Sequence, residues 1–253
     1  MGKLDNKVAI VTGAGQGVGR GIALALAKEG ASIVVAEVNE EGANSTVDEL
    51  RDLGAKTIAV ICDVSKREDV SKVVQTTIDE YGAIDILVNN AQAVPAAGAL
   101  FEEIKDEDWN ITLGSGLMGA FYFMKTCFPH MKERGGKIIN LASGAGSQRM
   151  AGFTAYSATK EAIRAITGVA AREWGRYGIN VNVICPSANS PAQIQWSKDF
   201  PEQYEALLRQ IPLGRIGDCE EDIGRSVVFL ASSDSDFITG QTINIDGGVD
   251  IHS

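Results

Sequence analysis

The 253-residue sequence predicts an α/β protein whose single domain contains a doubly wound parallel sheet of about seven strands, with helices on both faces. Two observations predict this fold. Short apolar runs alternate with helical patterns along the chain, which is typical of parallel strands joined by crossover helices. No linker or internal repeat interrupts the alternation, and a hydrophobic content of 45% is sufficient for one large core. We therefore expect one domain over residues 1–253.

The individual elements follow from local patterns. Apolar runs of strand length indicate buried parallel strands near 8–12, 32–37, 57–62, 85–89, 137–142, 179–185 and 241–245. Apolar residues at helical spacing indicate helices near 17–29, 40–53, 67–81, 107–133, 152–177 and 219–231.

The composition excludes several classes of protein. A net charge of −10 argues against nucleic acid and anionic membranes as partners. No apolar run reaches the length of a membrane span, and the first residues lack the apolar core of a signal peptide, so we expect a cytoplasmic protein. The four cysteines are scattered and only two histidines occur. The sequence therefore predicts reduced cysteines and no metal site.

A glycine-rich turn, residues 12–19, joins the first strand to the first helix. Glycines let the backbone approach a ligand closely, and the N-terminus of the helix presents free N–H groups to an anion. Glu37 ends the second strand about 20 residues later, where an acid binds ribose hydroxyls and repels a 2′-phosphate. Gln16 and Val38 are neutral where an NADP site would have Arg or Lys, so the context favours NAD. Alone, Glu37 could be a solvated acid at a strand end.

A second set of residues carries proton-transfer chemistry. Tyr156 and Lys160 are four residues apart, which places both on one face of a helix, and Ser143 lies thirteen residues before the tyrosine. A neighbouring ammonium favours a phenolate, so the spacing predicts a lowered pKa for Tyr156. Ser143 could donate a hydrogen bond to the same substrate oxygen. Without the other motifs, a surface pair on an ordinary helix would be the favoured interpretation of this tyrosine and lysine.

Together these residues resemble the short-chain dehydrogenase/reductase family. Residues 12–19 match its TGxxxGxG cofactor motif, and Ser143, Tyr156 and Lys160 match its catalytic serine, tyrosine and lysine. The resemblance covers residues 7–248, with further matches at Asp63, Asn89-Asn90-Ala91, Pro186 and Asp246-Gly247-Gly248. It implies a Rossmann-like fold and an oxidoreductase that interconverts a secondary alcohol and a ketone by hydride transfer.

The resemblance also implies a role for each site residue. Tyr156 would be the general acid/base, Lys160 would lower the tyrosine pKa and hold the nicotinamide ribose, and Ser143 would orient the substrate oxygen. The family's tetramers use two long helices, here 109–134 and 152–177, so we expect a homotetramer. NAD would contact Gly13, Gln16, Gly17, Val18, Gly19, Glu37, Asp63, Val64, Asn90, Ala91, Tyr156, Lys160, Pro186 and Asn189.

The chain departs from the family pattern at three places. Gly116 replaces the usual catalytic Asn, so only its backbone carbonyl could serve a proton relay; alternatively, it is a close-packing position. Gln92 replaces a glycine, and its side chain could reach the nicotinamide or the substrate, or point to solvent. A coupling of Gln92 with Gly116, in which the new amide partly replaces the lost one, is a further hypothesis. Residues 186–191 lack the usual Pro-Gly, and backbone groups of Asn189 are expected near the cofactor carboxamide.

The substrate pocket is expected beside the nicotinamide, with walls that include Gln92, Val94, Ala145, Phe153 and Trp196. The amphipathic segment 187–215 is expected to form a lid over an apolar pocket, with a helix packed on the core as an equal alternative. We expect a medium or large, mostly apolar ketone or secondary alcohol. The missing Asn supports an alternative function, a cofactor-binding protein with weak or no redox activity. Epimerisation through transient oxidation is another possible use of the site.

Overall fold

The computed structural model describes residues 2–251, and this part of the chain contains the predicted sheet of seven parallel strands. The strand boundaries lie within two residues of those predicted. The strands are β1 (Val8–Thr12), β2 (Ser32–Glu37), β3 (Thr57–Ile61), β4 (Ile86–Asn89), β5 (Gly136–Leu141), β6 (Ile179–Pro186) and β7 (Thr242–Ile245).

The strands are arranged in the order β3-β2-β1-β4-β5-β6-β7, and every neighbouring pair is parallel. The chain therefore builds outward in one direction from β1 to β3, and returns to the other side of β1 with β4. In open α/β sheets a ligand site lies outside the carboxyl ends of the strands at such a reversal. The register aligns the carboxyl end of β4 with that of β5, because Asn89 lies opposite Asn140.

Helices cover both faces of the sheet. They are α1 (Gly17–Lys28), α2 (Glu40–Asp52), α3 (Arg67–Tyr81), α4 (Asp106–Leu113), α5 (Gly119–Met131), α6 (Gly144–Ser147), α7 (Thr154–Trp174), α8 (Pro191–Asp199), α9 (Pro201–Gln210) and α10 (Arg225–Ala231). On one face, α1, α2 and α10 bury Ile22, Leu50 and Val227 against the sheet. On the other face, α3, α5 and α7 bury Val74, Phe123 and Ala170.

The long helix predicted at 107–133 contains an irregular turn. α4 and α5 are joined by a π-helical turn, Gly114–Met118, in which Gly116 is buried. Three glycines lie within residues 114–119, and their low helix propensity favours a change of geometry at this point. Within residues 2–251, no helix has both the length and the apolar character needed to cross a bilayer.

Candidate active site

A cavity of about 910 Å³ lies along the carboxyl ends of the four strands β1 to β4. It brings together nine of the residues predicted to bind a cofactor: Gly13, Gln16, Gly17, Val18, Glu37, Asp63, Val64, Asn90 and Ala91. Gln92 also lines it. The sheet order explains this convergence, because the loop that follows each of these strands opens at the same edge of the sheet.

The glycine-rich turn requires its glycines for close approach of the backbone. A Cβ at position 19 would overlap the carbonyl oxygen of Gly13 and would lie 2.5 Å from Nδ2 of Asn90. Gly13 has a φ of +62°, in the left-handed region that favours glycine. The turn is therefore folded tightly onto the loop that follows β4.

Asn90 holds this turn in place. Its side-chain amide donates to the carbonyl oxygens of Thr12 and Gly13, both at 2.9 Å. The hydroxyl of Thr12 in turn accepts hydrogen bonds from the backbone N–H groups of Asn90, at 3.0 Å, and Ala91, at 3.1 Å. The amide hydrogens of Asn90 are thus used within the protein. A contact of Asn90 with the cofactor ribose stays a prediction.

The N-terminus of α1 is open to an anion. Its first turn contains no acidic residue, and Gln16 at the N-cap position makes no side-chain capping hydrogen bond. The N–H groups of this turn are therefore not capped by a side chain, which suits a phosphate.

Glu37 lies at the far end of the same cavity, where backbone N–H groups hold its carboxylate. Oε2 accepts a hydrogen bond from Gly15 at 3.0 Å. Oε1 accepts from Val38 at 2.9 Å and from Asn39 at 3.0 Å. The carboxylate is fixed beside the glycine-rich turn, so the interpretation of Glu37 as a free, solvated strand-end acid is wrong.

Ser143, Tyr156 and Lys160 lie together beyond the carboxyl end of β5. Ser143 is the N-cap of α6, where its Oγ accepts a hydrogen bond from the N–H of Ala145 at 3.1 Å, and its side chain also hydrogen bonds to Tyr156. Nζ of Lys160 lies 5.3 Å from the centre of the Tyr156 ring and donates to the carbonyl of Leu141 at 2.8 Å. The structure therefore assembles the three residues that the sequence separates.

Burial dominates the ionisation of this group. It raises the pKa of Tyr156, and the hydrogen bond with Ser143 offsets only part of that effect. Burial also lowers the pKa of Lys160 to about 8, so the lysine loses its proton before the phenol does. The expectation of a lowered tyrosine pKa is therefore wrong for this structure, because loss of hydration dominates the pKa of both groups.

The lowered pKa of Lys160 predicts a pH dependence of stability. Between pH 8 and pH 10.5 the unfolded chain keeps this proton while the folded protein loses it, so the contribution of Lys160 to stability rises with pH. Relative to Lys160→Met, the free energy of unfolding of the wild type should rise by about 2–3 kcal/mol across this window. Urea unfolding of both proteins at several pH values measures this difference. The titration of the cysteines contributes equally to both proteins and therefore cancels. Parallel curves would contradict the prediction.

Gln92 turns inward, toward the π-helical turn. Its Nε2 donates to the carbonyl of Thr112 at 2.9 Å, and its Oε1 is buried against Gly116. The interpretation in which Gln92 points to solvent is therefore wrong. Gly116 is close-packed as one hypothesis expected, and its carbonyl accepts the N–H of Gly119.

The loop after β6 is held by the segment around Gly217. The backbone N–H of Asn189 donates to the carbonyl of Gly217 at 2.9 Å, and its carbonyl accepts from Sγ of Cys219 at 3.5 Å. The N–H of Asn189 is thus used within the protein, and a contact of its backbone with the cofactor carboxamide stays a prediction. Pro186 ends β6, where it pairs with Ile245 of β7.

The start of α8 belongs to the predicted lid segment 187–215, but its contribution to the cofactor cavity was not predicted. Ser190, Pro191 and Ala192 line the cavity, and a Cβ at Gly17 would lie 3.2 Å from Cδ of Pro191. A serine followed by proline is typical of a helix start, and Ser190 does cap α8. That signal could have placed this helix N-terminus. The other lining residues missed include Ser65, Asn110, Ile111 and Ser115.

The predicted substrate side contains an aromatic surface. The ring of Phe153 lies 6.0 Å from that of Tyr156. Trp196 on α8 contacts the rings of Phe200, at 6.2 Å, and Tyr204, at 6.4 Å. Neither α8 nor α9 contains a fully buried residue, which favours the lid over a helix packed on the core, and the lid stays a prediction. Of the other predicted wall residues, Ala145 is buried and Val94 is half-buried.

Comparisons with known proteins agree with this geometry. The family model described as enoyl-(acyl carrier protein) reductase matches residues 13–250. The chain is 43% identical over 256 residues to 12α-hydroxysteroid dehydrogenase of Clostridium sp., covering 98% of both chains. It is 35% identical over 249 residues to a 3-oxoacyl-[acyl-carrier-protein] reductase of Thermotoga maritima, covering 98% of this chain and 99% of the relative.

A solved structure shows the same likeness. The chain superposes with a TM-score of 0.90 and 31% identity on a 7α-hydroxysteroid dehydrogenase complexed with NADH and 7-oxo glycochenodeoxycholic acid. The match covers 97% of this chain and 94% of that one. Full-length similarity in sequence and fold, together with the grouping of Ser143, Tyr156 and Lys160, identifies this chain as a member of the short-chain dehydrogenase/reductase family.

Proposed function

We propose that this protein is an NAD(H)-dependent oxidoreductase that interconverts a secondary alcohol and a ketone on a bulky, mostly apolar substrate. The observation that carries the proposal is the grouping of a half-buried Tyr156, hydrogen bonded to Ser143, with the buried Lys160 beside it. A phenol, a hydroxyl and an ammonium at one point supply a proton and a hydrogen bond to one substrate oxygen. We propose that residues 1–253 form one catalytic domain, with 187–215 as the lid.

The residues along the cavity fit a dinucleotide. The uncapped N-terminus of α1 suits a pyrophosphate, and the close approach at Gly13 and Gly19 leaves the backbone accessible. Glu37 would accept hydrogen bonds from the adenosine ribose, with Asp63 and Val64 flanking the adenine. When bound, the nicotinamide supplies or accepts the hydride.

The chain's own residues carry the proton. With its raised pKa, Tyr156 keeps its proton at neutral pH and can donate it to a ketone oxygen. Ser143 can hydrogen bond to the same oxygen and orient it. Lys160, with a pKa of about 8, keeps its positive charge at neutral pH and stabilises the phenolate that forms. We therefore propose that reduction is supported at neutral pH, and that oxidation requires a higher pH to generate the phenolate.

Cofactor preference gives a direct test of the role of Glu37. We expect NADH to bind roughly 10- to 100-fold more tightly than NADPH, because the carboxylate hydrogen bonds to ribose hydroxyls and repels a 2′-phosphate. Glu37→Ser with Val38→Arg should reverse the preference. Fluorescence titration with both cofactors measures it. Glu40→Ser, which removes an equal charge from the nearby start of α2, serves as the control. Equal affinities in the wild type would count against the assigned role.

The substrate is proposed to be a hydroxysteroid or a similarly bulky alicyclic alcohol. The aromatic residues Phe153, Trp196, Phe200 and Tyr204 offer flat apolar surfaces near Tyr156 and on the lid. The 12α- and 7α-hydroxysteroid dehydrogenases that the chain resembles add independent support. We do not favour the alternative of a non-redox cofactor-binding protein. The chain matches two relatives over nearly their whole length, and these relatives are named as a dehydrogenase and a reductase.

Turnover with a substrate panel tests the proposed function. The panel contains NAD⁺ with steroids hydroxylated at carbons 3, 7 and 12, NADH with the matching ketones, and a 3-oxoacyl thioester. Activity on one or more steroids supports the proposal. Activity only on the thioester would change the proposed substrate class to 3-oxoacyl thioesters, which the name of the Thermotoga maritima relative suggests. Tight binding of NADH with no turnover of any member would support the binding-protein alternative.

We also propose a homotetramer. Val169 on α7 is 55% exposed and Phe121 on α5 is 39% exposed, so both long helices present apolar side chains at their surface. Light scattering in solution would give four times the mass of the chain. A monomer would leave these side chains without a partner.

A further inference from the structure

The carboxamide of Gln92 has a fixed orientation. Nε2 donates to the carbonyl oxygens of Thr112, at 2.9 Å, and Ala93, at 3.0 Å. Oγ of Ser115 is a third, longer partner at 3.3 Å. Because the two closest partners are carbonyl oxygens, the NH₂ group must face them and the amide oxygen must face the other way. Gln92 therefore ties the loop after β4 to the last turn of α4, next to the π-helical turn.

The amide oxygen of Gln92 faces Gly116. This Oε1 is buried and has no hydrogen-bond donor among the described residues. A Cβ at position 116 would overlap it, and would lie 2.9 Å from Cδ of Gln92 and 2.5 Å from Cγ2 of Thr159. Only the hydrogen of a glycine fits there, and a Cα–H group directed at an oxygen is a weak hydrogen bond. Gln92 thus occupies the volume that a side chain at 116 would need.

Thr159 connects this contact to the catalytic helix α7. Its side chain is fully buried, with its methyl group against Gly116 and its hydroxyl bonded to the carbonyl of Ala155 at 2.8 Å. The next residue is Lys160, whose Nζ is held by the carbonyl of Leu141. Since protein interiors are close-packed, a displacement of the π-helical turn shifts Thr159 and the lysine beside it.

We propose that Gln92 is a positioning residue of this active site and that it works as a matched pair with Gly116. Its carboxamide holds the π-helical turn against α7 and so fixes the position of Lys160. The catalytic consequence rests on the proposed function; the contact itself does not. Loss of Gln92 leaves a gap and two carbonyls without their donor. A side chain at Gly116 collides with the amide. Changing both residues together removes that collision and leaves only the close contact with Cγ2 of Thr159.

A double-mutant cycle tests the pair. The variants are Gln92→Gly, Gly116→Asn and the two combined, which moves the amide from one side of the contact to the other. Gln92→Glu keeps the shape of the side chain and removes its N–H donors. Gln75→Ala is the control, since Gln75 is an exposed glutamine on α3 that bonds to Asp79. Each protein is measured for kcat, KM, NADH affinity, the pH profile of kcat and the midpoint of urea unfolding.

We expect each single variant to lose about 100-fold in kcat with NADH affinity retained, because a small displacement of a catalytic group has that effect. The alkaline limb of the pH profile of kcat should shift in the same variants, because we expect that limb to follow the deprotonation of Lys160. The double variant should recover part of the kcat lost by Gly116→Asn, because the contact of the new side chain with Thr159 remains. Gln92→Glu should behave like Gln92→Gly, and the control should match the wild type.

Two results would overturn the pairing. One is a wild-type kcat and pH profile in both Gln92→Gly and Gln92→Glu, even with a lower unfolding midpoint, because Gln92 would then be a packing residue only. The other is a single Gly116→Asn variant with wild-type activity and midpoint, because the overlap would then be absent.

A separate readout distinguishes failure of this inference from failure of the proposed function. If the wild type turns over none of the panel, the proposed function fails, and the cycle is then followed by NMR titration of ¹³C-labelled lysine, with Lys160→Met assigning the signal. A Lys160 titration that moves in Gln92→Gly and returns in the double variant supports the pair. If the Lys160 titration is the same in every variant, the pairing of Gln92 with Gly116 is overturned.

Discussion

Replacing Gly19 by Ala should abolish cofactor binding and lower the free energy of unfolding by about 2–3 kcal/mol. The added Cβ would overlap the carbonyl oxygen of Gly13 and approach Nδ2 of Asn90, so the turn would have to open. Opening the turn breaks the hydrogen bonds from Asn90 to Thr12 and Gly13 and moves the N–H groups at the start of α1. Urea unfolding and NADH titration measure the two effects.

Gly168→Ala provides the matched control for this change. Gly168 lies within α7, and a Cβ there would meet no atom within 4 Å. The same substitution should therefore stabilise the protein by about 0.5–1 kcal/mol through helix propensity, and leave NADH affinity unchanged. A Gly19→Ala protein that binds NADH as the wild type does would show that the turn is not the phosphate site.

Tyr156→Phe should reduce kcat by about 10²–10⁴-fold while NADH binding is retained. The substitution removes the hydroxyl that hydrogen bonds to Ser143 and keeps the ring that packs beside Phe153. The loss should therefore appear in kcat and not in cofactor affinity. Steady-state kinetics with the preferred substrate, together with NADH titration, measure it.

Tyr177→Phe is the control for the loss of a phenol hydroxyl. Tyr177 packs against Phe128, and its ring centre lies 5.4 Å from that ring, on the far side of the molecule from the cavity loops. It should retain full activity. A Tyr156→Phe enzyme with more than about a tenth of wild-type turnover would exclude this phenol as the general acid/base.

The fold was predictable because the spacing of apolar residues and the order of strands and helices along the chain determine it. The short length of apolar runs such as Val8–Thr12 favours buried strands, and the glycine-rich turn fixes how the first strand meets α1. Parallel pairing then brings the ends of β1 to β4 together, so Glu37 and Asp63 meet at one cavity although they are far apart in sequence. These predictions needed no knowledge of side-chain packing.

What the sequence could not predict depends on tertiary contacts. The direction of Gln92 follows from the carbonyl group of Thr112 on α4, which no local pattern reveals. The pKa of Tyr156 depends on burial by the surrounding elements, and spacing reports only the neighbouring lysine. The backbone N–H of Asn189 is used within the protein because Gly217 pairs with the loop after β6, a contact across 28 residues of sequence. In each case a partner distant in sequence decides the outcome.

One measurement tests the central claim most directly. The protein is incubated with NADH deuterated at both C4 positions and with the 12-keto and 7-keto steroids, and the alcohol product is analysed by mass spectrometry and NMR. Hydride transfer predicts one deuterium, on the carbinol carbon, with NADH consumed in equal amount. Tyr156→Phe should form the same product about 10²–10⁴-fold more slowly. An alcohol without deuterium, or tight binding of NADH with no alcohol formed from either ketone, would contradict the account.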